Sequence, residues 1–174
     1  MMDWKAWQKR IHQNAVDHGW WDGDRSVGET VALIHSELSE ALEVYRKTDV
    51  NPPESDPEFR EEIADVVIRI LDAIAGFSLY VSYPDDDGFF GEHLKSTPEW
   101  IAEIHSQVGR WRKLCPRQDS NLIMLSIGLE GALDRILGYC DEYQIDLEDE
   151  IARKHEVNRL RPYRHGGRRC CGEG

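Results

Sequence analysis

One segment, residues 61–77, constrains the fold more than any other. Drawn as a helix, "EEIADVVIRILDAIAGF" is apolar on almost every side, which is the pattern of a helix buried in a core. Its polar exceptions, Glu62, Asp65, Arg69 and Asp72, recur at spacings of three, four and three residues and therefore share one ridge. Carboxylates buried without a partner are costly, so they are normally protonated, paired or bound to a metal. A single arginine cannot balance them all, and the segment therefore predicts a helical core with an acidic interior site.

A second helix repeats this arrangement. In "LIHSELSEALEVYR", residues 33–46, Glu37 and Glu40 lie one turn apart with apolar side chains on both sides, whereas serines and further charges take the opposite face. If the two helices face each other, Glu37, Glu40, Glu62 and Asp65 converge on one point. An all-oxygen ligand set favours Mg²⁺, or Mn²⁺, over zinc or copper. The alternative is chance, since 33 acids in 174 residues produce such pairs without any function.

Helical signals continue along almost the whole chain, and no strand pattern competes with them. We expect an all-α fold in one domain spanning residues 1–174, with "SYPDDDGFFGEHLKSTP" as a long loop and candidate lid. The expected helices begin at an Asp3 cap and end near Gly19, run from a Ser26 capping box to about Lys47, run from Asp56 and Pro57 to about Phe77, and then occupy 98–114, 121–143 and 147–160.

Composition and charge narrow the function classes. A content of 40% hydrophobic and 31% charged residues, with no apolar run near 18 residues, predicts a globular protein without a membrane partner. The first ten residues lack the apolar core of a signal peptide, so we expect a cytoplasmic protein. The net charge of −12 is uneven, because residues 153–169 hold seven Arg or Lys and one Glu. An acidic body with one basic tail, 153–174, disfavours nucleic acid and suits a small anionic ligand.

Three segments together resemble a known family. "ALIHSELSEALE", then "EEIADVVIRILD", then "KHEVNRLRPYRHGG" are similar to the motifs of MazG-like nucleotide pyrophosphohydrolases, in the all-alpha NTP pyrophosphatase superfamily. The resemblance covers roughly residues 4–77 and 139–168. It implies a four-helix core and Mg²⁺-dependent hydrolysis of a nucleoside triphosphate to a monophosphate and pyrophosphate. It further implies that Glu37, Glu40, Glu62 and Asp65 are metal ligands and catalytic residues, and that Lys154, Asn158, Arg161, Tyr163 and Arg164 contact the substrate.

The chain departs from that family between about residues 79 and 137, where it carries a helical insert. "WIAEIHSQVGRWR" echoes "TVALIHSELSEAL", and "LDRIL" echoes "VIRIL". Aligned in this way, the four acids become Gln107, Arg110, Gly128 and Gly131, so the copy would hold no metal. Family members commonly pair two subunits, so a homodimer is one expectation. An internal pseudo-dimer is another, and chance similarity between amphipathic helices is the third.

Other residues and functions admit more than one interpretation. His35 faces away from the acids and is interpreted as a structural histidine, while Trp20 and Trp21 either stack on a base or cover the bundle. A non-catalytic helical nucleotide-binding or interaction protein would use the same amphipathic patterns. A di-iron carboxylate bundle is disfavoured, because it needs ExxH pairs that the two acidic helices lack. The sequence does not choose the base or the sugar.

Overall fold

Helices dominate the chain, and the part that the structure describes contains no strand. The computed structural model describes the backbone of residues 2–83, 96–112 and 118–167, and their side chains except at 111, 112, 118–121 and 165. Most of the candidate lid lies outside these residues. The helices are α1 (Trp4–Asp17), α2 (Val27–Lys47), α3 (Pro57–Gly76), α4 (Thr97–Val108), α5 (Gln118–Glu142), α6 (Leu147–Arg159) and the short α7 (Arg164–Gly167), with 3-10 turns at Pro53–Ser55 and Gly109–Arg112.

Side-chain caps set the beginnings of the helices. Ser26 accepts a hydrogen bond from the backbone of Glu29 at the start of α2, and Asp56 accepts one from Glu58 at the start of α3. The predicted bounds of these two helices are confirmed. The helix predicted at 98–114 is shorter, because α4 ends at Val108 and a 3-10 turn follows over Gly109–Arg112.

Helices α2 and α3 form an antiparallel pair at the centre of the molecule. Glu37 contacts Arg69, whereas Thr48, which caps the end of α2, contacts Asp56 before the start of α3. As residue numbers rise along α2, the numbers of the residues that they contact on α3 fall, so the two helices run in opposite directions. The facing sides bury fully enclosed apolar residues, which include Ile34, Leu38, Ala41, Ile63, Val67 and Ile70.

Helices α4 and α5 form a second antiparallel pair. The rings of Trp100 and Tyr139 stack with centroids 3.8 Å apart, and the Trp100 indole donates to the carbonyl oxygen of Arg135 at 3.0 Å. Farther along α4, the side chain of Gln107 approaches Gly131. The helices expected at 98–114 and 121–143 are therefore present and pack on each other, with bounds shifted by a few residues.

The two helix pairs contact each other within one chain. His35 of α2 stacks on His105 of α4, with their Nδ1 atoms 2.7 Å apart, and Phe59 of α3 lies 6.3 Å from Tyr139 of α5 between ring centroids. Burial lowers the pKa of both histidines, so the neutral rings share one N–H between them. The interpretation of His35 as a hydrogen-bonded structural histidine is confirmed.

Helices α1 and α6 pack against the α2–α3 pair. The Trp7 indole donates to Glu148 at 3.0 Å, and the imidazole of His155 meets the Trp7 ring edge-on. Trp4 and Trp7 are both 7% exposed, as expected for core residues. Among the described residues, no helix is long and apolar enough to cross a membrane.

Candidate functional site

Three carboxylates meet where α2 faces α3. Glu37, Glu40 and Glu62 each offer an oxygen, and these oxygens lie within 4.8 Å of one another. Opposite oxygens around an octahedral Mg²⁺ stand about 4.2 Å apart, so a small side-chain rotation brings the three into its coordination range. Glu40 is exposed and accepts a hydrogen bond from the Ser36 hydroxyl at 3.1 Å, whereas Glu37 is buried. The donor set, all carboxylate oxygen, fits a hard divalent cation.

The fourth predicted acid, Asp65, lies beside this group but is engaged elsewhere. Its Oδ2 atom is 2.7 Å from the Lys154 ammonium, which also contacts Glu61. Lys154 is 6% exposed, and it lies beside Asp65 because α6 packs against α3. The structure therefore brings together three of the four predicted ligands, and gives Asp65 a cationic partner that helical spacing did not indicate.

A second internal cation balances Glu37. The Nε atom of Arg69 donates to Glu37 Oε1 at 2.9 Å, from the ridge of α3 that carries Glu62 and Asp65. Asp72, the last acid of that ridge, belongs to a separate network. It accepts from the indole of Trp21 at 2.9 Å and from Arg25 at 3.1 Å, and His12 lies 2.8 Å away. That network fixes the loop after α1.

Burial and mutual repulsion disfavour the charged forms of these acids. Burial, with the charge of Asp65, raises the pKa of Glu62 to about 7. Burial also raises the pKa of Glu37 against the opposing charge of Arg69, and raises that of Asp65 against Lys154. Burial alone would lower the pKa of Lys154, but its hydrogen bonds to Asp65 and Glu61 outweigh this and raise it. Lys154 therefore stays charged, and the acids are poised to gain from a further cation.

The acids line one end of a cavity of about 550 Å³. Lys154, Asn158 and Arg161, three of the predicted substrate contacts, line the same cavity along one face of α6 and just beyond it. Its remaining wall comes from α1, the loop after it and the tail after α6, and it mixes apolar with polar side chains. That wall includes Ile11, Asn14, Ala15, His18, Trp20 and Pro162.

Asn158 has an acceptor atom that no described residue satisfies. Its Oδ1 is buried and receives no hydrogen bond, in a side chain that lines the cavity. Buried polar atoms are nearly always paired, so this atom is an exception.

Two predicted contacts, Tyr163 and Arg164, are not among the residues that line the cavity. Tyr163 donates to Asp22, and its ring lies so close to Gly19 that a Cβ there would stand 2.4 Å from it. The Arg164 guanidinium lies 3.8 Å from Asp22, and its backbone N–H donates to the carbonyl oxygen of His18. These residues fasten the tail to the loop after α1.

The sequence did not indicate the contribution of α1. Asn14 and His18 line the cavity, and His18 joins the two walls because its ring nitrogens lie 2.7 Å and 2.9 Å from the carbonyl oxygens of Asn14 and Arg161. Both residues lie near the end of the first helix, and no motif in the sequence pointed to either of them. Of the two loop tryptophans, Trp20 lines the cavity, whereas Trp21 covers the bundle by packing on Gly76.

At the four aligned positions the second helix pair carries Gln107, Arg110, Gly128 and Gly131 instead of acids. Gln107 contacts Glu103, which pairs with Arg135 at 3.2 Å. A Cβ at Gly128 would stand 2.3 Å from the carbonyl oxygen of Gln107, and one at Gly131 would stand 2.9 Å from its side chain. Close helix packing therefore fills the positions that Glu62 and Asp65 occupy in the first pair.

Comparisons with models of protein families, with curated proteins and with solved structures found no match. The chemistry of this site is therefore argued from its own residues.

Proposed function

We propose that this protein is a divalent-cation-dependent nucleoside triphosphate pyrophosphohydrolase, which adds water between the α and β phosphorus and releases a monophosphate and pyrophosphate. One observation carries the proposal. Three carboxylates suited to Mg²⁺ or Mn²⁺ and two basic side chains, Lys154 and Arg161, line the same cavity. An acidic site alone would repel a triphosphate, and a basic one would not hold the cation. Together they suit a substrate that is bound as its metal complex.

The residues divide the work by their positions. Glu37, Glu40 and Glu62 hold the cation, and Asp65 joins them if Lys154 turns from it toward a phosphate. A bound Mg²⁺ supplies Lewis acidity and lowers the pKa of a coordinated water. Lys154 and Arg161 bind the negatively charged phosphates and stabilise the charge that gathers on the leaving pyrophosphate. No Ser or Cys nucleophile is required.

We further propose a MazG-like four-helix core that is completed within one chain. His35 meets His105, its counterpart in the internal alignment, and a residue that meets its own counterpart lies on a twofold axis. The second pair then takes the place of a partner subunit, and the homodimer expected from the resemblance is not needed for a complete site. Size-exclusion chromatography with light scattering tests this, because a monomer that retains activity supports it and an inactive monomer contradicts it.

The experiment that tests the activity is a pyrophosphate-release assay. The eight common NTPs and dNTPs are offered with Mg²⁺, with Mn²⁺ and with EDTA, to wild type, Glu40→Gln and Asp65→Asn. We expect turnover of at least one nucleotide only with metal, and a loss of about 100-fold or more in either variant. Glu43→Gln is the matched control, because Glu43 lies one turn from Glu40 on the solvent face and pairs with Lys47. Full activity of Glu40→Gln would contradict the assignment.

A non-catalytic nucleotide-binding protein is the alternative, and the same samples separate it from the enzyme. Isothermal titration with Mg²⁺ and an α,β-imido nucleotide measures binding without turnover. Binding together with pyrophosphate release supports the enzyme, whereas binding without release supports the alternative.

A further inference from the structure

His18 joins the end of α1 to the tail through both nitrogens of its ring. Its Nδ1 atom lies 2.7 Å from the carbonyl oxygen of Asn14, and its Nε2 atom lies 2.9 Å from the carbonyl oxygen of Arg161. A carbonyl oxygen only accepts hydrogen bonds, whereas a neutral imidazole carries a proton on one nitrogen alone. Both contacts are therefore hydrogen bonds at the same time only when the ring is an imidazolium.

The place of His18 at the end of its helix favours that charge. His18 caps the C-terminus of α1, where carbonyl groups without helical partners give the helix a negative end that stabilises a cation. When the ring loses a proton, one of the two hydrogen bonds must go. The contact with Asn14 is shorter and lies within a single helix, so it does not depend on where the tail lies. We therefore expect the neutral ring to keep Asn14 and to release Arg161.

Arg161 needs this contact because it lies beyond the last turn of α6. Its backbone N–H donates to the carbonyl oxygen of Asn158 at 3.2 Å, and its own carbonyl accepts from His18, so the backbone is held from both sides. The Arg161 side chain lines the cavity. Burial raises the pKa of Asp65, and the charge of Arg161 opposes that rise, which shows that the guanidinium acts on the acidic end of the site.

We propose that His18, as an imidazolium, is a positioning residue that holds Arg161 in place for the phosphates of the substrate and releases it when the ring loses its proton. This proposal rests on the proposed function, in which Arg161 binds phosphate, and it adds a residue of α1 to that function. Both nitrogens of the ring are engaged by carbonyl oxygens, so His18 acts through Arg161 and does not bind the phosphates itself.

Charged groups of both signs surround His18, so the effect of its proton must be separated from theirs. Asp17 adjoins it on α1, and the loop and the tail bring Asp22 and Arg164, whose charged groups lie 3.8 Å apart. Helices α3 and α6 pack against α1 and line the same cavity with Glu62, Asp65, Arg69, Asp72, Lys154 and His155. A variant at position 18 keeps all of these groups, so their titration cancels when it is compared with wild type.

The test compares kcat/KM of wild type and His18→Ala at pH 6 and pH 9 in the pyrophosphate-release assay with Mg²⁺. Histidine is ordinarily protonated at the first pH and neutral at the second. At pH 6 the variant should lose about tenfold in kcat/KM, which corresponds to about 1.4 kcal/mol, and at pH 9 it should lie within about twofold of wild type.

Asn14→Ala is the matched control. It removes a neighbouring side chain from the cavity wall but keeps the backbone carbonyl that His18 contacts, so any loss that it causes should be the same at both pH values. If the loss in His18→Ala is also the same at both pH values, His18 only supports the fold. That result overturns the inference and leaves the proposed activity standing.

The two hydrogen bonds are tested in wild type without turnover. At pH 6 the ¹H–¹⁵N NMR spectrum should show both ring N–H protons of His18, because hydrogen-bonded protons exchange slowly with water. At pH 9 only the Nδ1–H signal should remain. A single ring N–H signal at pH 6, or loss of the Nδ1–H signal in place of the Nε2–H signal at pH 9, overturns the inference even if His18→Ala does not fold.

A failure of the proposed activity has a different signature. If no triphosphate is hydrolysed, the activity fails, and titration with Mg²⁺ and an α,β-imido nucleotide then decides the role of His18. A loss of about tenfold in affinity in His18→Ala at pH 6 that disappears at pH 9 supports that role. Equal affinity of both proteins at pH 6, or no binding by either, contradicts it.

Discussion

Glu62 is expected to destabilise the metal-free protein at neutral and higher pH. Burial and the charge of Asp65 raise its pKa from the ordinary 4.5 to about 7 in the folded state. Below pH 4.5 the carboxyl is protonated in both folded and unfolded chains and contributes nothing. Between the two pKa values stability falls as pH rises, because only the unfolded chain ionises freely. Above pH 7 the full penalty applies.

The size of this penalty follows from the shift. A change of 2.5 in pKa corresponds to at most about 3.4 kcal/mol, since one unit is about 1.36 kcal/mol. Glu62 is only half-buried and solvent screens its charge, so we expect about 1 kcal/mol. Glu62→Gln should therefore raise the free energy of unfolding by about 1 kcal/mol at pH 8, or raise Tm by about 2–4 °C. At pH 4 the variant and wild type should be equally stable.

The assay is urea and thermal unfolding of both proteins at pH 4 and pH 8 in EDTA, and then at pH 8 with saturating Mg²⁺. Glu58→Gln is the control, because it removes an exposed acid from the first turn of the same helix, where the helix dipole favours negative charge. It should lose a few tenths of a kcal/mol. With Mg²⁺ the order should reverse, since wild type binds the cation more tightly. A Glu62→Gln variant that is no more stable than wild type at pH 8 without metal would refute the reasoning.

Three other changes test the packing and the tail. Gly128→Ala should cost at least about 2 kcal/mol in urea unfolding, because its Cβ would stand 2.3 Å from a carbonyl oxygen of α4, whereas Gly109→Ala, with nothing within 4 Å, should be nearly neutral. Asp72→Asn should cost about 2–4 kcal/mol, since it leaves the Arg25 guanidinium buried beside a neutral group, and an unchanged unfolding midpoint would contradict this. Truncation after Ile151 should raise KM strongly or abolish turnover, and an unchanged KM in a folded truncation would remove the tail from the site.

The sequence by itself determined the helices and the faces that carry the acids. Helix periodicity fixes the direction of each side chain around the axis of its helix. Caps such as Ser26 and Asp56 fix the residue at which a helix begins. Periodicity and capping both depend on residues close together in the chain, so they can be identified without knowing which helices pack together. They placed Glu37, Glu40 and Glu62 on facing ridges correctly, and that sufficed to predict the acidic site.

Only the tertiary structure decided which atoms meet. Asp65 shares the ridge of Glu62, yet its oxygen turns to Lys154, because α6 packs on α3 and delivers an ammonium there. Asn14 and His18 line the cavity because of the way α1 packs against the other helices. The spacing of residues within α1 does not predict that packing. Tyr163 follows the cavity-lining Pro162 but does not line the cavity itself, and its hydroxyl donates a hydrogen bond to Asp22. Periodicity orients a side chain on its own helix, but the choice of partner is made by packing between segments far apart in the chain.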